Sequence, residues 1–199
     1  MSNRLKALYW IIIIFVLTAC KEEYVPKQRG YHRIDLPDTI YTPLAITGLP
    51  YTFEHSIHAV VKRDTFGITE PYWINMYYPQ FQAEVQITYK DIQHEPRRLF
   101  EYINDVHKLA FKHQIRAYSI EETRTTTRDG KPAYLFELSG EVSSQFQFFC
   151  TDTTRHFLRG ALYFNTSTKN DSLAPVIQYI KQDMMHLLNS LQWKEIEKK

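Results

Sequence analysis

The stretch FQAEVQITYK, residues 81–90, sets Phe81, Ala83, Val85, Ile87 and Tyr89 against Gln82, Glu84, Gln86, Thr88 and Lys90 in strict alternation. Period two sustained over this length demands a strand with one dry face and one wet face, because successive side chains of a strand point to opposite sides. Such a strand needs partners and a cover for its dry face. Apolar or alternating runs at 51–61, 72–78, 118–126, 132–138, 144–151 and 156–165 supply candidate partners. Arg128-Asp129-Gly130-Lys131 and residues 152–155 read as hairpin turns between neighbours.

Two segments change to helical spacing. In 96–113, Leu99, Ile103, Val106 and Ala110 fall on one stripe, with Pro96 suited to a first turn. In 171–193, Leu173, Ile177, Ile180, Met184, Leu188 and Leu191 do the same. Asp171 is placed to cap that helix, and Pro175 falls where backbone amides are still free. Stripes of this kind cover sheets. The expected order is three strands, a helix, four strands and a final helix, an α+β fold with an antiparallel sheet flanked by two helices. That arrangement resembles the PsbP-like fold, an analogy that assigns no function.

The first nineteen residues have a different logic. Arg4 and Lys6 precede an uncharged run from Ala7 to Leu17, which ends in the small residues Thr18 and Ala19. This is a signal-peptide layout. The run is shorter than the roughly twenty apolar residues that span a bilayer. Leu17-Thr18-Ala19-Cys20 resembles the bacterial lipobox, in which the cysteine receives a diacylglycerol and becomes the acylated amino terminus after cleavage. Each buried methylene of an acyl chain such as palmitate contributes about 0.8 kcal/mol, so two or three chains hold a protein durably where one does not. The competing reading is a buried cysteine in an uncleaved membrane helix.

Cleavage there would also reset the charge. The whole chain has 24 Lys+Arg and 22 Asp+Glu, and loss of Arg4 and Lys6 leaves 22 of each. A neutral domain without a basic run offers no electrostatic case for nucleic acid. Of the two cysteines, an acylated Cys20 leaves Cys150 alone, without an internal disulfide. Cys150 ends an apolar run and is expected to be buried.

Residues 21–50 contain Pro26, Pro37, Pro43 and Pro50 with Gly30 and Gly48, which suits an extended tether. At about 3.3 Å per residue, 21–32 would reach roughly 40 Å from the lipid. Lys21-Glu22-Glu23 resembles a short lysine-and-acid signal for surface display, and also an ordinary solvated tether. The expected division is a signal peptide over 1–19, a lipidated tether over 20–49, one domain over 50–194, and a polar tail over 195–199.

Reaction chemistry is sparse. His55 and His58 are three apart on a strand and diverge, and His107 and His113 are six apart on a helix, about 240° around. Neither a zinc-site spacing nor a glycine-rich phosphate loop occurs. Ser143 and Ser144 lie near Asp152 and His156 in sequence but without a G-x-S-x-G elbow. Adjacent Glu121 and Glu122 diverge on a strand, unlike a hydrolase carboxylate pair. No catalytic residue, metal ligand or cofactor is assigned.

Aromatic residues make up 15% of the chain. Many must line the core, and Trp73 and Tyr77, alternating away from Ile74 and Met76, are candidates for a binding face, with sheet packing as the other reading.

The stretches YVPKQRGYHRIDLP (24–37), PYTFEH (50–55), YWINMYYPQFQAEVQITYK (72–90), SSQFQFFCTDTTRHFLRGALYF (143–164) and NDSLAPVIQYIKQDM (170–184), with Leu191 and Trp193, are similar to the GldD gliding-motility lipoproteins of Bacteroidetes. The resemblance implies a lipid-anchored accessory component of the gliding machinery, associated with type IX secretion; the expected place is the periplasmic face of the outer membrane, with surface exposure as the other reading. Its partners would be other gliding or secretion lipoproteins and membrane components. The family brings no established catalytic residue or cofactor, so Cys20 alone carries over as a functional position. Arg33, Asp35 and Pro37 are candidate partner contacts, or residues that fix how the tether joins the domain. A glycan- or peptidoglycan-binding lipoprotein, using Trp73 and Tyr77, is the alternative function.

Overall fold

The computed structural model describes residues 33–65, 70–165 and 170–195. The signal-like segment, Cys20 and the tether to residue 32 lie outside the described residues. From Arg33 onward the chain forms one unit.

The elements in order are β1 (Tyr41–Pro43), β2 (Tyr51–Thr52), β3 (Glu54–Ser56), β4 (Val60–Arg63), β5 (Ile74–Tyr78), β6 (Ala83–Asp91), α1 (Pro96–Phe111), β7 (Ala117–Thr126), β8 (Pro132–Gly140), β9 (Phe146–Thr151), β10 (His156–Phe164), α2 (Asn170–Ser190) and β11 (Gln192–Trp193). Seven strands make one sheet in the order β4-β5-β6-β10-β9-β8-β7. Every pairing in it is antiparallel. The chain leaves β6 through α1 to the far edge at β7, then returns strand by strand until β10 closes against β6. The expected α+β class, antiparallel with two helices, is what is observed.

The alternation of 83–91 appears directly in burial: Ala83, Val85, Ile87 and Tyr89 are at most 2% exposed, and the residues between them are half-buried. Their dry face, with Ile74, Met76, Phe148, Leu158 and Leu162, packs under α2 through Val176, Ile180, Met184 and Leu188. On the other face, Leu99, Ile103, Val106 and Ala110 of α1 lie over Phe136, Leu138, Phe149 and Phe157. Pro96 opens α1 as expected, and Pro175 sits inside α2. α2 already begins at Asn170, so the expected cap Asp171 falls inside its first turn, and Pro175, its sixth residue, lies past the four amides that are free.

The expected single strand over 51–61 is instead three. β2 pairs with β11 and β3 pairs with β1, so the segment serves different partners, and Ala59 N–H to Ser56 O at 3.1 Å closes a turn before β4. The short strands β1 and β11 have too few residues for a periodic signal. Packing also starts upstream of residue 50, since Leu44 and Leu49 are in the core and Ile34 and Ile46 pack against it. The two expected hairpin turns lie between β7 and β8 and between β9 and β10. In the second, Asp152 Oδ1 accepts the backbone N–H groups of Thr154, Arg155 and His156 at 3.0, 2.8 and 2.8 Å.

Candidate functional site

Among the described residues the two faces of the sheet are covered unequally. The apolar core built by α1 reaches from β7 to β10 and, past the end of β6, to Ile92. Beyond it, the same face of β5 and β6 presents Asn75, Tyr77, Glu84, Gln86 and Thr88, all half-buried or exposed. Register places Asn75 beside Gln86, Tyr77 beside Glu84, and Thr88 beside Arg159. This open half is a surface that strand alternation, rather than a loop, presents to a partner.

Trp73 and Tyr77 point to this same face, as their spacing predicts, but they differ in kind. Trp73 is half-buried, donates from Nε1 to Tyr89 O at 3.1 Å, and has Lys90 Nζ 5.2 Å from its ring centroid. Lys90 is also ion-paired with Glu70. Trp73 is thus fixed by packing, whereas Tyr77 remains 36% exposed. The Arg33 guanidinium pairs with Asp35 at 3.0 Å on the surface, and Gln80, in the turn after β5, donates to Asp35 O at 3.0 Å. Pro37 is half-buried. The segment 33–37 therefore lies at the Tyr77 end of β5, and Trp73 at the opposite end, about 13 Å along the strand. Cys20 is outside the described residues.

At the inner margin of the open half stands a polar pair that periodicity did not single out. Arg159 of β10 is 8% exposed and Gln147 of β9 is 0% exposed. Arg159 Nη2 donates to Gln147 Oε1 at 2.7 Å. Arg159 Nε and Gln147 Nε2 are buried with no partner. The signal was available: an arginine inside the apolar run HFLRGALYF is out of pattern.

A second polar cluster lies on the α2 side. Asp183 is 1% exposed and accepts hydrogen bonds from Tyr41 Oη and Tyr78 Oη, each at 3.1 Å. Burial pushes its carboxyl above the ordinary value against the opposing effect of those donors. Burial first, and the Asp183 charge second, push the Tyr41 phenol up to about 12. The Tyr41 ring stacks on His186 at 3.6 Å, and His186 Nε2 meets Glu54 Oε2 at 2.8 Å beside a cleft of about 360 Å³. Ser190, also in that cleft, spends its hydroxyl on His186 O while accepting the Glu54 N–H.

Residues considered for hydrolysis are similarly committed. His156 Nδ1 is 2.8 Å from Tyr89 Oη and its ring stacks on Trp193 at 4.9 Å. Among the described residues no hydrogen bond joins it to Ser143 or Ser144. Glu122 meets His107 at 3.2 Å instead of a second carboxylate. No cluster of metal-ligating side chains occurs among the described residues. Cys150 is free and buried, and burial pushes its thiol up to about 12.

These features define an antiparallel α+β domain with a polar, half-open sheet face. A family model described as "Gliding motility lipoprotein GldD" matches residues 21–193. The chain belongs to that family, which makes it a gliding-motility lipoprotein of the cell envelope. No curated protein matches the chain. Among solved structures, the solution structure of cyanobacterial PsbP (CyanoP) from Synechocystis sp. PCC 6803 is similar, with a TM-score of 0.44 and 10% identity over 81% of this chain and 97% of that one. No helix of the described residues is long and apolar enough to cross a membrane.

Proposed function

We propose that this protein is a non-enzymatic accessory component of the gliding machinery, anchored by lipid on Cys20 at the periplasmic face of the outer membrane. It acts by docking onto other gliding or type IX secretion lipoproteins. The observation that carries this reading is the family match, which spans 21–193 and begins directly after Cys20. Commitment of His156, Ser190 and Cys150 to packing and local hydrogen bonds favours contact over turnover. The docking surface is the open half of the sheet around Tyr77, continued at one end by Arg33, Asp35 and Pro37.

The test is affinity capture of the full chain from gently solubilised membranes, with Cys20→Ser in parallel. Gliding or secretion components should accompany the native protein and decline when the anchor is lost. Recovery of none, from membranes that contain them, contradicts the reading. A glycan-binding function is the second reading, favoured by the amides of Asn75 and Gln86 beside Tyr77, since such groups suit sugar hydroxyls. It requires peptidoglycan fragments to bind the full chain and Tyr77→Ala to abolish that binding.

A further inference from the structure

Arg159 is a buried cation without a counter-charge among the described residues. Arginine is seldom removed from water unless paired, because an unmatched buried charge is costly. Yet among the described residues none of the ion pairs includes Arg159. Its hydrogen-bond partner is the neutral Gln147 amide, and two buried donors, Arg159 Nε and Gln147 Nε2, are unused. Among the described residues no aromatic face compensates either, since the cation–π contacts belong to Lys90, Arg124 and Lys181. The surroundings add positive charge: after burial, the charges that hold His113 below its ordinary value are those of Arg159 and Lys112.

We propose that Arg159 and Gln147 form a socket for a single carboxylate of a protein partner, an aspartate, a glutamate or a chain terminus. This deepens the docking reading and rests on it. A guanidinium and an amide offer in-plane N–H donors that match a planar carboxylate, and one negative charge balances one cation. Arg159 stands at the margin of the open half, beside half-buried Thr88 and next but one to half-buried Gln86, which form a polar rim; the unused donors are covered, so a carboxylate meets them by displacing the rim side chains. A desolvated charge pair ringed by such a rim is the arrangement of an interface hot spot. The narrow exposure of Arg159 suits a side-chain-sized group better than a phosphate dianion, which would bury excess charge.

The experiment uses the full chain in mild detergent, with acetate as the probe and the Arg159 Nε–H resonance as readout. Acetate should shift that resonance and the Gln147 side-chain amide resonances saturably, chloride at equal ionic strength should not, and in Arg159→Lys the Gln147 amide should respond more weakly. Gln147→Glu supplies the missing carboxylate from within. It should raise the melting temperature by several degrees and remove the acetate response. In membrane capture, both variants should recover about tenfold less partner. Absence of an acetate shift, or a lowered melting temperature for Gln147→Glu, overturns the socket. An acetate response with undiminished partner capture overturns the protein source of the carboxylate. So does saturation by muramyl dipeptide at concentrations where acetate has no effect. Failure of the native protein to capture any partner contradicts the docking reading instead, and leaves the acetate result to stand for the socket alone.

Discussion

Gly160→Ala should destabilise the domain although alanine is otherwise the better strand residue. Gly160 lies in β10 between Arg159 and Ala161, and a Cβ there would sit 2.3 Å from Phe148 Cε1, 2.5 Å from Phe148 Cζ and 3.1 Å from Ile87 Cδ1. Carbon atoms in good contact are about 3.5–4.0 Å apart, so the Phe148 ring would have to retreat by more than about 1 Å. It has no free direction, since Phe148 and Ile87 are at most 1% exposed beneath α2. Overpacking of this kind costs about 1–3 kcal/mol, and loss of glycine's freedom in the unfolded chain returns about 0.4–1 kcal/mol. A clash this deep against a ring without room takes the upper half of that cost, about 2–3 kcal/mol, so the net of about 1–2.6 kcal/mol lowers the melting temperature by about 2–10 °C for a domain of this size. Thermal melts of the full chain, followed by tryptophan fluorescence, measure it. Phe148→Leu should recover part of the loss, so that the double variant is less damaged than the sum of the singles by about 1 kcal/mol. A neutral Gly160→Ala, or strict additivity with Phe148→Leu, would refute the packing argument.

Two aspartates should give opposite pH slopes. Asp183 has a raised pKa in the folded state, so its contribution is fully present below the ordinary aspartate value of about 3.9 and is lost as pH rises through the folded value. Asp183→Asn should flatten that loss in urea melts taken from pH 4 to 7, and an unchanged profile would count against it. Asp152 is the reverse: burial pushes it up, but its backbone N–H donors outweigh that and hold it below the ordinary value. Its contribution is present above about pH 3.9 and lost as pH falls through the folded value. Removing its acceptor in Asp152→Ala should cost about 1–3 kcal/mol at neutral pH, read from the same melts. With Cys20→Ser leaving Cys150 as the one thiol, a pKa of about 12 predicts negligible labelling by maleimide at pH 8 until denaturant is added. Rapid labelling of the native protein would show that β9 opens.

What was legible in the sequence followed from repetition. The alternation in 81–90 and the stripes at Leu99–Ala110 and Leu173–Leu191 repeat often enough to reveal a sheet with two covers. The hairpin turns announced themselves through Asp, Gly and Thr. β1 and β11 are two or three residues long and exist because β3 and β2 need partners, a tertiary cause without a local signature. The site was partly legible. Trp73 and Tyr77 were placed on one face correctly, but alternation cannot say that Trp73 would spend its N–H on Tyr89 while Tyr77 stayed wet. Arg159 and Asp183 are polar residues in dry surroundings, and their partners Gln147, Tyr41 and Tyr78 come from distant parts of the chain.

The most direct test of docking through the open half is site-specific photo-crosslinking in intact cells, with the crosslinker at Tyr77 and, as control, at exposed Gln178 on α2. Docking through that face gives crosslinks from position 77 to gliding or type IX secretion components, and few or none from 178. Crosslinks to those components from 178 but not from 77 would contradict it.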